Sequence, residues 1–303
     1  MTGASKGGVT IMKYTCAQGS RQGGRAHNED RVAIAEREGA VLMVLGDGLG
    51  GHKGGALASA TLCQLAVRAF RAVRSPRIKD PSNFLALVMF QAHQALKDLG
   101  KRLDPPIEPR TTGVLCLVQE GCAYWAHLGD SRLYHVRNNR VIVRTHDDTT
   151  IEAFRERGIL NERESLAHPD KSRLLACLGG REEPTIHLSA ETPLRMGDTL
   201  LLCSDGVWEA MAESEIARAL DHPVLENGLA DLLLAAENRR QAAADNISAT
   251  CLRWQDHAGR PAGLAPRARA LTARALWEEG RKLLVDRKLE EIRGASKKIP
   301  SGD

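Results

Sequence analysis

The chain has 303 residues, 43% apolar, 4% aromatic and 26% charged, with 42 Lys or Arg against 38 Asp or Glu and a net charge of +4. That supplies a sizeable, mostly aliphatic core, and no apolar run approaches the ~20 residues of a membrane-spanning helix. A membrane protein, a secreted disulfide miniprotein and a low-complexity chain are excluded, and a soluble cytoplasmic protein without a signal-peptide core is expected.

After a polar start, residues 41–45 (VLMVL) form a continuous apolar run of strand length that stops at Gly46-Asp47-Gly48. Residues 55–73, rich in Ala and Leu, predict a helix entered from a Gly-rich turn. A second helix is predicted over 83–102, where Leu85, Val88, Met89, Ala92, Leu96 and Leu99 recur at helical spacing. Pro105, Pro106 and Pro109 break the chain. Short strands at 114–118, 123–128, 132–136 and 141–144, separated by turn residues, predict an antiparallel meander. A short helix at 150–157 and a long polar excursion over 158–184 follow. Residues 199–203 (TLLLC) predict a strand ending at Ser204-Asp205-Gly206, with helices at about 213–220 and 224–238 and a last core strand at 247–252. Strands and helices do not alternate as βαβ units, so an α+β fold of packed sheets flanked by helices is expected. Residues 255–270 predict a linker, and 271–293 a charged helix interrupted by Gly280.

Charge and cysteine usage narrow the function. Residues 255–303 carry eleven basic and seven acidic residues, so the body over 1–254 is neutral, which argues against a nucleic-acid surface. The seven cysteines (Cys16, Cys63, Cys116, Cys122, Cys177, Cys203 and Cys251) include no CxxC pair and sit mostly in apolar runs. They predict buried thiols in a reducing compartment rather than disulfides or a zinc site. Gly50–Gly55 lacks the pattern of a nucleotide P-loop.

Four aspartates share one local setting. Asp47, Asp130 and Asp205 each lie just past an apolar strand, and Asp245 lies just before one, all beside small or turn-forming residues. Taken singly, each is ordinary turn chemistry. If the strand ends converge, the carboxylates repel one another unless cations lie between them, and an all-oxygen site suits hard ions such as Mg²⁺ or Mn²⁺. Near the N-terminus, Arg25-Ala-His-Asn-Glu29-Asp30 sets a guanidinium fork suited to phosphate beside further carboxylates.

Read together and in order, RAHNED (25–30), VLGDGLGGHKGG (44–55), TTG (111–113), AHLGDSRLYHVRNNRV (126–141), LLCSDGVWE (201–209) and ADNISATCL (244–252) resemble the metal-dependent Ser/Thr protein phosphatases of the 2C type, in a bacterial single-domain form. The resemblance spans about residues 14–254. It implies a four-layer α-β-β-α sandwich in which two antiparallel sheets pack face to face with helices outside. It further implies a catalytic domain over 1–254, a linker over 255–270 and a charged tail over 271–303. Asp47 would bridge two Mn²⁺ or Mg²⁺ ions with the Gly48 carbonyl as a further ligand. Asp205 would bind one ion and Asp245 the other, and Asp130 with Asp205 would support a third. Arg25 would clamp the substrate phosphate, while Glu29 and Asp30 act through metal-held water. The implied reaction is hydrolysis of phosphoserine or phosphothreonine on proteins by a metal-bridging hydroxide, opposing a cognate Ser/Thr kinase, by a cytoplasmic monomer with no nucleic-acid partner. The alternatives are a silent phosphatase-like scaffold and a hydrolase of small phosphorylated metabolites.

Three departures from the family pattern accompany these matches. Leu49 stands where many eukaryotic members carry a histidine proposed as general acid. Gly55-Ala56 lacks an acidic residue, and Asp147-Asp148-Thr149 stands where Asp-His-Thr is common. His27 lies in the phosphate-facing loop and His52 near the Gly-rich turn, whereas His127 and His135 read as packed or surface strand residues. The tail reads as a solvated helix or a docking helix.

Overall fold

Alternation along the central strands decides the architecture. In the computed structural model, which describes residues 12–49, 53–149, 176–256 and 269–272, strand β3 (Ala40–Gly46) is buried on both faces. Its Leu42 and Val44 point to one apolar cluster, and its Val41, Met43 and Leu45 to another. A strand covered on both sides carries a continuous apolar run, because successive side chains alternate between faces.

Around β3 lies a seven-stranded antiparallel sheet: β14 (Arg269–Thr272), β10 (Thr185–Leu188), β7 (Cys122–Leu128), β6 (Gly113–Gln119), β3 and β2 (Arg31–Arg37), with β11 (Thr192–Pro193) also on β7. The second sheet runs β1 (Tyr14–Arg21), β13 (Ile247–Trp254), β12 (Thr199–Cys203), β8 (Arg132–Arg137) and β9 (Arg140–Arg144). A two-stranded ladder joins β4 (Gly48–Leu49) to β5 (Arg110–Thr111). Helices α1 (Lys53–Ala72) and α2 (Pro81–Arg102) cover the outer face of the larger sheet through Leu62, Phe70, Leu85 and Met89. Helices α3 (Asp205–Trp208), α4 (Glu213–Ala219) and α5 (Leu225–Arg240) cover the smaller sheet through Val207, Ile216, Leu229 and Leu232. Between the sheets, Met43, Cys116, Trp125, Leu200, Leu252 and Trp254 form a third apolar layer. The expected four-layer α-β-β-α sandwich is observed.

Helix α2 begins two residues before its expected start, because Pro81 occupies the first turn and Asp80 accepts the Asn83 N–H (3.0 Å). Strands β1, β2, β10 and β11 were not legible from the sequence. The first mixes polar and small residues, the second has only the short apolar run 32–35 between charged ends, and their backbones are held by register with β13 and β3. The latter two span only four and two residues. The expected linker over 255–270 and helix from 271 are corrected where they meet: 269–272 is a strand, Thr185 pairing with Thr272. Its backbone satisfies the hydrogen-bonding groups that β10 would otherwise leave at an open edge. The expected helix at 150–157, residues 158–175 of the excursion, His52 and 273–303 lie outside the described residues. Among the described residues, no helix is long and apolar enough to cross a membrane.

Candidate metal centre

Strand register explains why distant aspartates meet. Arg31 pairs with Gly46 across β2 and β3, which brings Asp30 beside Asp47. The Thr112 N–H donates to the Asp47 carbonyl (2.9 Å), and β6 pairs Gly113 with Leu128, setting the Gly129-Asp130 turn beside that row. In the other sheet Cys203 pairs with both Arg132 and Ala249, so Asp205, Asp130 and the Asp245-Asn246 turn leave the sheet at the same end. A cavity of about 550 Å³ opens there. Arg25, Glu29, Asp47, Gly48, Asp130, Asp205 and Asp245 all line it, joined by His27, Leu49, Glu209, Arg240 and Asn246. Of the expected site residues only Asp30 stands off the cavity wall, buried behind it at 1% exposure.

Polar bonds between the sheets hold this arrangement. Ser204 Oγ donates to Asp30 Oδ2 (2.7 Å). Asn246 organises the Arg25–Asp30 loop: its Oδ1 accepts the Glu29 N–H (2.8 Å), and its Nδ2 donates to the carbonyls of Gln22 (2.8 Å) and His27 (3.0 Å). Gly48 is required by close approach, since a Cβ there would lie 2.4 Å from the Gly55 carbonyl and 2.7 Å from that of Glu29. Arg25 Nη2 bonds Asp245 Oδ2 at 2.5 Å, with its guanidinium more than half exposed.

Burial, reinforced by crowding of like charge, sets the electrostatics. Burial first, and then Asp30, Asp205, Asp130 and Asp245, push the Asp47 carboxyl well above the usual range. Asp205 is raised in the same way, by burial and then by Asp130, Asp245, Asp30 and Glu209. Burial lifts Asp130 to about 7 and Asp30 to about 6. The described lining contributes the carboxylates of Glu29, Asp47, Asp130, Asp205, Glu209 and Asp245 against the guanidiniums of Arg25 and Arg240. Such a chamber repels a phosphate group until cations neutralise it.

Donor chemistry fits hard divalent ions. The acidic donors are all oxygen, and Asp30 Oδ1 is sealed from solvent with no hydrogen-bond partner. Among the described residues, no three His, Cys, Asp or Glu side chains are drawn tightly enough onto one point to grip an ion directly. The carboxylates line a shared cavity instead. Thiol chemistry is disfavoured: all seven cysteines are free, and burial raises Cys63 and Cys251 to about 12 and pushes Cys203, at the site's edge, upward as well.

Several residues with evident roles were missed in the sequence reading. Glu209 sits four residues after Asp205, at the C-terminal cap of α3, and that spacing was the available signal. Arg240 Nη2 bonds Glu209 Oε2 (2.7 Å); its separation in sequence hid it. Ser204 and Asn246 lay inside recognised motifs, but only the fold supplies their partners. Of the two strand histidines, left open between packed and surface positions, both His127 and His135 are buried, at 7% and 1% exposure.

A family model described as "Protein phosphatase 2C" matches residues 18–228. The serine/threonine protein phosphatase PstP of Mycobacterium tuberculosis (strain CDC 1551 / Oshkosh) is 30% identical over 245 residues, covering 79% of this chain but 45% of that relative. The chain thus spans less than half the length of that protein. The serine/threonine phosphatase stp of Listeria monocytogenes serovar 1/2a is 26% identical over 234 residues, covering 74% of this chain and 89% of the relative. Among solved structures, the catalytic domain of the serine threonine protein phosphatase PstP in complex with two manganese ions superimposes with a TM-score of 0.68 at 26% identity, covering 80% of this chain and 99% of that one.

Proposed function

The chain belongs to the protein phosphatase 2C family, and from that premise we propose that it hydrolyses phosphoserine and phosphothreonine on proteins with Mn²⁺ or Mg²⁺ held in the acidic cavity. The observation that carries the reading is the gathering of Asp47, Asp130, Asp205 and Asp245 around one cavity beside Arg25. Asp47 with the Gly48 carbonyl, Asp205 and Asp245 hold two ions, and Asp130 with Asp205 supports a third. When bound, the ions supply Lewis acidity, activating water and offsetting the charge of a phosphoryl group. Arg25, poised on Asp245 with an exposed guanidinium, offers two N–H donors to phosphate oxygens. Glu29, on the cavity wall, acts through water, while Asp30, sealed behind the wall and kept in place by Ser204, backs Asp47 instead of the expected action through water. Leu49 lines the cavity and carries no ionisable group, so it cannot protonate the leaving group, a task left to metal-held water.

The substrates are cytoplasmic phosphoproteins made by a cognate Ser/Thr kinase, a setting supported by the free cysteines. The chain acts as a monomer, with a catalytic body over 1–254 and a C-terminal tail available for docking.

The test is release of phosphate from a phosphothreonine peptide with and without Mn²⁺. Turnover should require the metal, and Asp47→Asn or Asp205→Asn should lower kcat by about 100-fold or more. Unchanged metal-dependent turnover in both variants overturns the site assignment. Absence of calorimetric Mn²⁺ binding would favour the scaffold reading, and a preference for small phosphoesters over the peptide would favour the metabolite reading.

A further inference from the structure

The departure at Asp147-Asp148-Thr149 has a structural role. The Asp148 N–H donates to the Gly129 carbonyl (2.9 Å), and the Gly129 N–H donates back to Asp148 Oδ2 (3.0 Å). The remaining oxygen, Oδ1, accepts from His187 Nε2 at 2.8 Å. His187 lies in β10, paired with His127 of β7, and the two imidazoles stack with centroids 5.1 Å apart. Asp148 therefore joins the metal-site turn to a strand at the far end of a 36-residue interval, and its carboxylate is mostly buried at 16% exposure.

That turn needs holding. Gly129 has φ +91°, outside the range ordinary residues favour, and a Cβ there would meet Thr112 Cγ2 at 2.8 Å. On its other side the Asp130 carbonyl accepts the Trp208 indole N–H (2.9 Å), while the Arg132 guanidinium lies 3.5 Å over the Trp208 ring and forks both oxygens of Asp147 (2.6 and 2.8 Å). Trp208 fixes the carbonyl end of Asp130, and Asp148 fixes the residue before it. Between them the backbone from which the Asp130 carboxylate projects is held on both sides.

We propose that Asp148, oriented by His187, is a positioning residue that holds the Gly129-Asp130 turn where Asp130 can take up a divalent cation. The inference rests on the assignment of Asp130 as a metal ligand. Groups that orient a ligand without touching the ion commonly change metal affinity by about 10–100-fold when removed.

Calorimetric titration of the full chain with Mn²⁺ after chelator treatment tests this, with Asp130→Asn as reference. That variant should remove the weakest Mn²⁺ binding event. Asp148→Ala should weaken the same event about tenfold, leave the tighter events within about twofold, and raise the Mn²⁺ concentration for half-maximal turnover in parallel, with KM for the phosphopeptide unchanged. Asp148→Asn keeps an acceptor for the Gly129 N–H and should stay within about threefold of wild type. His187→Phe keeps a ring on His127 but lacks the Nε2 donor, and should weaken the event about threefold, which decides the matter if Asp148→Ala does not fold. Isotherms of Asp148→Ala and His187→Phe that superimpose on wild type, with only Tm lowered, overturn the positioning role while Asp130 remains a ligand. An unaltered isotherm for Asp130→Asn overturns the ligand assignment itself, and the inference with it.

Discussion

At the scale of a residue, Arg25 carries the proposed recognition of phosphate. In this structure its guanidinium neutralises Asp245, which is itself expected to bind a cation. On the proposed assignment, a cation on Asp245 would compete for the same carboxylate and weaken that ion pair, freeing the planar fork for phosphate. Arg25→Ala should therefore raise KM for a phosphopeptide about tenfold with a smaller change in kcat, and weaken inhibition by inorganic phosphate in proportion. Steady-state kinetics in saturating Mn²⁺ measure this, and unchanged KM and kcat would refute the phosphate-clamping role. Chemistry of this kind was legible in the sequence because an arginine beside carboxylates is a local pattern. Its ion-pair partner was not, since Asp245 lies 220 residues away.

At the scale of elements, helices and strands differ in what they disclose. Helix α2 carries its own signals: apolar positions at helical spacing, Pro81 in the first turn and an aspartate cap. Strand β1 carries almost none, because its backbone is held by pairing with β13 rather than by an apolar run of its own. Packing of α2 also creates a pH dependence that the sequence did not announce. His93 is buried at 1% exposure, where its Nδ1 accepts the Gly179 N–H (3.1 Å). Burial, with Lys97 adding to it, lowers its pKa from 6.5 to about 4. Between those values the unfolded chain binds the proton that the folded chain refuses, so stability rises with pH across that window. It is lost as pH falls through about 4. Relative to His93→Gln, the wild type should lose on the order of 1–3 kcal/mol between pH 6.5 and 4. Urea denaturation of the two proteins at each pH measures the gap. A constant gap would show that His93 is not held neutral.

For the whole molecule, two sheets with their own outer helices meet at one apolar layer, and the acidic cavity lies where strand ends from both sheets emerge. The described cavity residues fall between Arg25 and Asn246, inside the body whose charges balance. Truncation after residue 256 should therefore keep metal-dependent turnover within about twofold, since it removes no described cavity residue. It also removes β14 and leaves β10 as an open edge, so the shortened chain should associate more readily at high concentration. Turnover assays and light scattering of both lengths test the two halves of this prediction. A large fall in kcat would assign the tail a role in the site.

The sequence by itself determined the long helices, the apolar core strands and the donor chemistry, because hydrophobic period, Asp-Gly turns and an Arg beside carboxylates are local properties of the chain. Tertiary structure decided which of those groups meet. Ser204 reaches Asp30 across 174 residues, and Asn246 reaches Glu29 across 217. Those bonds, like the Glu209–Arg240 pair and the Asp148–His187 clasp, depend on strand register and sheet packing. A one-residue slip in either sheet would shift the strand ends that carry or support these side chains, so no local pattern could disclose the pairs.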